Sequence, residues 1–243
     1  MRRLVIALMA VPCFVVSGPI AAQEQAPAVQ AAPIPPPIIS REMWHAKPPI
    51  AEMRPQRVIG IILHHTGIRK NTAVTLERKM LALQAFSQSA GAVSKTHVKP
   101  VWPDVPYHFY VDAGGRIAAG RDIRFAGDTN TKYDTSGYIQ VVVEGDFETE
   151  TPSPAQMEAL CDLLVWLLLR WNIPNTAISV HLDHAATDCP GKNFMAALPA
   201  LRLEIAKRRL QFTERLCESG KLAVPAECTT ESPSPIDGDQ GTR

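Results

Sequence analysis

A short apolar run at residues 58–63, with the sequence Val-Ile-Gly-Ile-Ile-Leu, constrains the fold of this chain most strongly. The run has the length of a β-strand and is bounded by Pro55 and Gly67. It lacks the alternation of apolar and polar residues that marks a strand with one face in water, so both of its faces should be buried. The run therefore predicts a central strand in a sheet that helices pack against.

Three other segments have the pattern of helices that would cover such a sheet. The predicted helices span residues 75–87, 155–171 and 193–212. The first is amphipathic, with apolar residues at helical spacing that end at Phe86. Ser153 is the expected N-cap of the second helix, with Pro154 in its first turn. Pro199 is expected to bend or split the third helix, because proline removes a backbone donor.

Four more segments have the composition of strands. They are residues 107–112, 116–120, 138–143 and 178–180. The first two flank Ala113-Gly114-Gly115, which predicts a hairpin. The last is expected to deliver His181 into a polar loop. The predicted fold is α/β, a central mixed β-sheet flanked by helices in a single domain.

The two ends of the chain differ in composition from the domain between them. The predicted parts are a signal peptide (1–22), a Pro/Ala-rich linker (23–38), the folded domain (39–215) and a largely disordered C-terminal tail (216–243). Arg2 and Arg3 precede an apolar core at 4–16, which is the pattern of a secretory signal. That core is shorter than the roughly 20 residues that a spanning helix needs, so no stable membrane span is expected after cleavage. Cys217 and Cys228 either form a disulfide or remain two thiols.

The charge balance excludes one broad class of partner. The formal net charge is +1, so no electrostatic attraction to nucleic acid or to an anionic membrane is expected. Charged residues make up 20% and hydrophobic residues 46%, which is typical of a globular domain rather than a disordered chain. Nothing in the sequence specifies an oligomeric state.

Histidine and cysteine side chains occur where a metal site could form. His64 and His65 end the first strand, and because neighbouring strand residues point to opposite faces, at most one of them can enter a given site. His181 and Cys189 lie further on, within one short polar loop. Two imidazoles and a thiolate suit zinc, and three protein ligands are typical of catalytic zinc. The alternative is that these histidines are ordinary hydrogen-bonded core residues.

Five motifs occur in the order in which one known family carries them. They are the segments 39–49, 62–66 (Ile-Leu-His-His-Thr), 105–111 (Val-Pro-Tyr-His-Phe-Tyr-Val), 119–122 (Ala-Gly-Arg-Asp) and 181–191, which ends in Cys-Pro-Gly. Together they resemble the zinc-dependent N-acetylmuramoyl-L-alanine amidases, which include phage lysozyme-type amidases and peptidoglycan recognition proteins. The resemblance covers about residues 39–205. It implies the same mixed sheet flanked by helices, and peptidoglycan or muropeptides as the binding partner.

The resemblance also implies roles for particular residues. The zinc ligands would be His64, His181 and Cys189. Zinc lowers the pKa of water and so supplies a nucleophile that attacks the amide between N-acetylmuramic acid and L-alanine. Tyr107 would be catalytic, with its hydroxyl donating to the oxyanion that develops. Thr187 matches a catalytic position that is threonine in the recognition proteins and lysine in the phage enzymes, and it would hydrogen-bond the substrate or the water.

Three features depart from the family pattern. Some relatives carry a glutamate on the strand at 138–143, where this chain has Val142, and Glu144 on the same face is a possible substitute. The segment 126–133 lacks the histidine that many relatives have there. The segment 87–104 is longer than usual and forms either a wall of the substrate groove or a tolerated insertion.

The prediction is therefore an exported amidase of the bacterial periplasm that remodels or recycles cell wall. Two alternatives remain open. The chain could be a non-catalytic peptidoglycan-binding module, because some members of the family bind the polymer without cleaving it. It could also be a zinc peptidase that cuts within the stem peptide.

Overall fold

The computed structural model describes residues 33–92 and 98–219. The predicted signal peptide (1–22) lies outside the described residues, and so does Cys228, the possible disulfide partner of Cys217. The proposed disulfide is therefore a prediction that the described residues leave open.

Strand and helix residues occur slightly outside both predicted boundaries of the folded domain. Strand pairing begins at Ile38, inside the predicted linker, because Ile38 lies in register with Ile117. At the other end the last helix continues to Glu218, past the predicted boundary at 215. Regular secondary structure is thus described a few residues outside the boundaries at 39 and 215 that composition predicted.

A six-stranded mixed sheet forms the centre of the domain. Its strands, with two that lie apart from it, are β1 (Ile38–Ile39), β2 (Gly60–His65), β3 (Gly91–Ala92), β4 (Val98–Lys99), β5 (Phe109–Val111), β6 (Ile117–Ala119), β7 (Tyr138–Val143) and β8 (Ile178–Val180). The order across the sheet is β1-β6-β5-β7-β2-β8. The hairpin pair β5–β6 is antiparallel, and the other pairs in this sheet are parallel. The predicted mixed sheet and the predicted hairpin are both confirmed.

The two faces of the sheet carry different side chains. Ile61 and Leu63 of β2 point into the main apolar core, where they meet two helices, α2 (Pro154–Arg170) and α3 (Lys192–Glu218). Because strand side chains alternate, His64 of β2 points to the opposite face. There Val142 of β7 belongs to a smaller apolar cluster that includes α1 (Leu76–Ser87). The strand predicted from the apolar run is thus buried on both faces.

The buried side of α1 differs in part from the predicted one. Leu76 and Met80 are buried as expected, but Gln84 follows them, while Phe86 is 40% exposed. Gln84 can be buried because its amide donates to the backbone of Lys47 and to a carboxylate. A satisfied polar side chain therefore takes the place that hydrophobic periodicity alone gave to phenylalanine.

The two long helices follow the sequence prediction with one difference. Ser153 caps α2, because its hydroxyl accepts from the Gln156 amide while the Gln156 side chain accepts from Ser153 in return. Pro199 lies within α3, which stays continuous, so the proline does not split the helix. Within the described ranges 33–92 and 98–219, no helix has the length and apolar character needed to cross a membrane.

The segment 87–104 contains the separate ribbon of β3 and β4. Lys99 is buried there, and its ammonium donates to the carbonyl oxygens of Ser87 and Pro100. The same ammonium lies 4.8 Å from the ring centroid of Trp102, whose backbone amide donates to Ser87. These contacts anchor the described part of the segment to the C-terminal end of α1, and a role as a groove wall stays a prediction.

Candidate metal centre

His64 and His65 lie on opposite sides of the sheet, as their alternation in β2 predicts. The His65 ring packs 6.1 Å from the ring centroid of Phe147, and its Nδ1 accepts the Phe147 amide at 3.2 Å. The His64 ring faces the other way and lies 5.3 Å from the ring centroid of Tyr107. His64 is therefore the member of the pair that is available to a site on the α1 side of the sheet.

Strand register brings His181 next to His64. β8 pairs in parallel with β2, with Val180 opposite Leu63. His64 follows Leu63 and His181 follows Val180, so the two histidines lie at the same level of the sheet. Their imidazole centroids are 4.7 Å apart. Both side chains are buried, with 3% of His64 and 8% of His181 exposed.

The loop between β8 and α3 returns Cys189 to the same place. The amide of Leu182 donates to the Cys189 carbonyl, which closes the loop. Cys189 Sγ lies 3.7 Å from His64 Nδ1 and accepts the backbone amide of His65 at 3.4 Å. The ligand atoms of His64, His181 and Cys189 all lie within 4.8 Å of one another. The structure thus brings together the three residues that the sequence predicted as metal ligands.

Burial controls the protonation of these three groups. Desolvation, with repulsion from His181 as a second cause, lowers the pKa of His64 to about 3. Desolvation likewise lowers the pKa of His181 to about 4. Both imidazoles are therefore neutral near pH 7 and keep a lone pair for a metal. Burial raises the pKa of the Cys189 thiol to about 12, so its thiolate needs a nearby cation.

The donor set fits zinc. Two neutral imidazoles and one thiolate match the nitrogen and sulfur ligands that zinc prefers, and three protein ligands leave a position open. The cluster therefore has the chemistry of a catalytic rather than a closed structural site, and His64, His181 and Cys189 would hold the ion.

Polar residues behind the two histidines were missed by the sequence analysis. Gln140 Oε1 lies 2.6 Å from His64 Nε2, and Thr131 Oγ1 lies 2.7 Å from His181 Nε2. The Tyr133 hydroxyl donates to Gln140 Oε1 at 3.3 Å. One signal was visible in the sequence, since Gln140 is a polar residue inside an otherwise apolar strand. Thr131 and Tyr133 lie in the segment 126–133, which the sequence marked chiefly by its missing histidine.

The two predicted catalytic side chains occupy different positions relative to the cluster. Tyr107 is next to it, and burial raises the pKa of its phenol above the ordinary value, so the hydroxyl stays protonated and can donate. Thr187 lies in the loop that carries Cys189, and its hydroxyl accepts the Cys189 amide at 3.2 Å. Thr187 therefore shapes the turn before Cys189, and its contact with substrate stays a prediction.

The carboxylate of Glu144, the possible substitute for the family glutamate, is engaged by partners outside the candidate ligand set. Its carboxylate is buried and forms a 2.7 Å ion pair with Lys79 of α1. It also accepts the backbone amides of Asn71 and Ala113. Lys79 and Ala113 belong to α1 and to the turn between β5 and β6, so the Glu144 carboxylate joins these two parts of the fold, and a catalytic role for it stays a prediction.

A mixed sheet with a two-histidine, one-cysteine cluster on one face defines an α/β protein with a candidate metal centre. Comparison with protein families narrows this class to one family, because residues 54–192 match the family described as N-acetylmuramoyl-L-alanine amidase. The chain belongs to this family, as the sequence motifs predicted.

Two relatives represent the two branches that the resemblance suggested. The chain is 32% identical to the endolysin of Enterobacteria phage T3 over 111 residues, which cover 43% of this chain and 72% of the endolysin. It is 26% identical to peptidoglycan-recognition protein SD of Drosophila melanogaster over 170 residues, covering 67% of this chain and 84% of that protein. The chain is thus related both to lytic proteins of phage and to recognition proteins.

A solved structure supports the fold. The N-acetylmuramoyl-L-alanine amidase LysC from Clostridium intestinale superposes with a TM-score of 0.54 and 23% sequence identity, covering 70% of this chain and 98% of LysC. At this identity the likeness establishes the shared architecture of sheet and helices.

Proposed function

We propose that this protein is a zinc-dependent amidase that cleaves the bond between N-acetylmuramic acid and L-alanine in peptidoglycan or its fragments. The observation that carries the proposal is the convergence of His64, His181 and Cys189 within 4.8 Å, in a chain of the amidase family. Two imidazoles and one thiolate also match the three-ligand pattern that is typical of catalytic zinc.

The reaction is the hydrolysis of an amide. Zinc, when it is bound, supplies the activation of water and the polarisation of the carbonyl group. The water oxygen forms a bond to the lactyl carbonyl carbon, the C–N bond breaks, and both water protons pass to the leaving nitrogen, so the products are a carboxylate and the ammonium group of L-alanine. Tyr107, whose ring centroid lies 5.3 Å from that of His64, would donate a hydrogen bond to the oxyanion that forms on the carbonyl oxygen. Thr187, in the loop that carries Cys189, would hydrogen-bond the substrate or the attacking water.

The proposed location is the bacterial periplasm. The signal peptide predicted at 1–22 would export the chain, and peptidoglycan lies on the outer side of the inner membrane. The relatives named endolysin and peptidoglycan-recognition protein support a substrate or ligand derived from the cell wall.

Replacement of one ligand tests the proposal. We expect the mature protein to release intact stem peptides from purified peptidoglycan, and Cys189→Ala to release none above background, because its site would hold two ligands only. Cys161→Ala is a matched control, since this thiol is buried in the apolar core of α2. Mass analysis of the digest measures the products. Full cleavage by Cys189→Ala would refute the assignment of the ligand.

A binding module without catalysis is the second candidate. It is favoured by the kinship with recognition proteins and by Val142, which stands where some relatives carry a glutamate. In that case the protein would bind muropeptides but leave them uncut. Mass analysis would find only intact muropeptides, whether or not the protein had been loaded with zinc. A zinc peptidase would instead leave L-alanine attached to the glycan, which the same mass analysis detects.

A further inference from the structure

Each of the two candidate histidine ligands has one ring nitrogen engaged by a residue outside the metal cluster. His64 Nε2 lies 2.6 Å from Gln140 Oε1, and His181 Nε2 lies 2.7 Å from Thr131 Oγ1. These short contacts occupy the same nitrogen on both rings, so the ring atom that remains for a metal is Nδ1 in both cases. For His64 this is the atom that faces Cys189 Sγ, at 3.7 Å.

The side-chain oxygen of Gln140 is oriented to accept a hydrogen bond from His64 Nε2. Its side-chain oxygen faces the imidazole and also accepts the Tyr133 hydroxyl at 3.3 Å. With this acceptor in place the neutral ring carries its hydrogen on Nε2, and the lone pair lies on Nδ1. The opposite tautomer would place a hydrogen on the atom that faces Cys189 and would oppose metal binding.

The position of Gln140 costs stability, which separates it from an ordinary core residue. Only 1% of Gln140 is exposed, and its Nε2 has no hydrogen-bond partner among residues 33–92 and 98–219. A buried amide group without a partner costs about 1–3 kcal/mol. The neighbours of Gln140 in β7 are apolar, so an apolar side chain would suit the strand better. The arrangement is explained if the oxygen serves the histidine.

Thr131 holds the other ring from the loop before β7. Its hydroxyl contacts Thr129 Oγ1 at 2.9 Å as well as His181, and its amide donates to Thr129 Oγ1 at 3.1 Å. The threonine hydroxyl can thus accept from His181 Nε2 while it donates to Thr129. The segment 126–133 lacks the histidine of many relatives, yet it supplies this contact.

We propose that Gln140 and Thr131 are positioning residues that hold His64 and His181 in the tautomer that presents Nδ1 to zinc. The inference rests on the proposed function for the identity of the metal. Residues that orient metal-binding histidines typically change metal affinity 10- to 100-fold when they are replaced.

The first experiment compares Gln140→Met with the wild type. Methionine is similar in size, but its thioether is only a weak hydrogen-bond acceptor, so we expect zinc affinity to fall by about 10- to 100-fold. The melting temperature should stay equal or rise, because the unpaired amide is removed. Zinc affinity is measured by competition with a chromophoric chelator. In the metal-free protein, the imidazole ¹⁵N spectrum should show His64 protonated on Nε2 in the wild type and a mixture of tautomers in the variant.

Two further variants make the result specific. Gln140→Glu keeps an acceptor oxygen, so it should keep the Nε2 tautomer and bind zinc at least as well as the wild type. Gln84→Met is the matched control, because Gln84 is equally buried but bonds Lys47 and Asp104. That control should lower the melting temperature and leave zinc affinity unchanged, which is the reverse of the pattern expected for Gln140→Met.

Thr131 is tested by a pair of substitutions. Thr131→Val removes the hydroxyl at nearly constant volume and should weaken zinc binding, whereas Thr131→Ser keeps the hydroxyl and should restore it. The tautomer of His181 in the metal-free protein is measured in the same spectra. An Nδ1-protonated His181 in the wild type would overturn the role of Thr131.

The outcomes also separate this inference from the proposed function. Unchanged zinc affinity in Gln140→Met, or loss of zinc in Gln140→Glu, would overturn the positioning role while the amidase proposal stands. A wild-type protein that binds no zinc would refute the proposed function. In that case the ¹⁵N spectrum of the metal-free protein still tests whether Gln140 sets the His64 tautomer.

Discussion

Tyr107 combines a protonated hydroxyl with a position beside His64. Its ring centroid lies 5.3 Å from that of His64, and burial raises the pKa of its phenol. If the hydroxyl donates to the oxyanion, Tyr107→Phe should lower kcat by about 100- to 1000-fold, which is the usual effect of removing one such donor. Zinc affinity and KM should change little, because the ring remains. Steady-state kinetics on a soluble muropeptide measure both constants.

The control for this prediction is Tyr110→Phe. Tyr110 is buried in the smaller apolar cluster with α1. Its substitution by phenylalanine therefore removes a buried hydroxyl that has no proposed role in catalysis. Its kcat should equal that of the wild type. A Tyr107→Phe enzyme with wild-type kcat would exclude the tyrosine as the donor.

Residues of the site differ in how far the sequence could predict them. Strand alternation is a local rule, and it predicted that only one of His64 and His65 enters the site, while the resemblance to the amidase family selected His64. Gln140 and Thr131 contact their histidines from positions 76 and 50 residues away along the chain. Such contacts depend on strand register and loop path, which no local pattern encodes. The outer hydrogen bonds were therefore visible only in the folded molecule.

At the scale of elements, the junction between the Cys189 loop and α3 depends on Gly191. This residue is the N-cap of α3 and has φ of 91°, which L side chains rarely adopt. A Cβ at this position would also lie 2.5 Å from the Phe147 carbonyl carbon. Gly191→Ala should therefore lower the free energy of unfolding by on the order of 1–3 kcal/mol from backbone strain alone. The same variant should also weaken zinc binding, because a displaced backbone at residue 191 would move Cys189, which lies two residues earlier.

Chemical denaturation and chelator competition measure these two effects. Gly114→Ala is the control, since a Cβ there meets its nearest neighbour, Asp112 Oδ1, at an ordinary 3.4 Å. That variant should keep both the stability and the zinc affinity of the wild type. If Gly191→Ala behaved like Gly114→Ala, the close packing of the loop against Phe147 would have no role in placing the thiol.

The sequence predicted which elements exist better than it predicted how they end or which face they bury. Pro199 removes one helical hydrogen bond, yet α3 continues because Leu198, Leu201 and Ile205 are buried in the main core on either side of it. In α1 the apolar period favoured Phe86, but tertiary hydrogen bonds made Gln84 the buried residue. In both helices tertiary packing overrides the local signal, and a sequence pattern does not contain that information.

At the scale of the whole molecule, the apolar core and the candidate metal centre lie on opposite faces of the sheet. One face packs against α2 and α3 and holds the main apolar core. The opposite face carries His64, with Tyr107 and His181 beside it. Polar and titratable groups are thereby buried in a domain whose core is otherwise apolar. Three histidines are held neutral as a result, because desolvation lowers the pKa of His64 to about 3 and those of His108 and His181 to about 4.

These buried histidines predict that acid destabilises the metal-free protein well above the range in which most carboxylates titrate. In the unfolded chain each histidine has a pKa of about 6.5, so below that pH the unfolded state binds protons that the folded state does not. The free energy of unfolding should therefore fall as the pH drops from about 6.5 towards 4, by up to about 1.4 kcal/mol per pH unit for each histidine. Urea denaturation in the presence of a chelator, at about pH 7, 6 and 5, measures the slope. His45→Asn should leave it unchanged, because His45 is exposed. A stability that stayed constant from pH 7 to 5 would mean that the three rings are not held neutral by the fold.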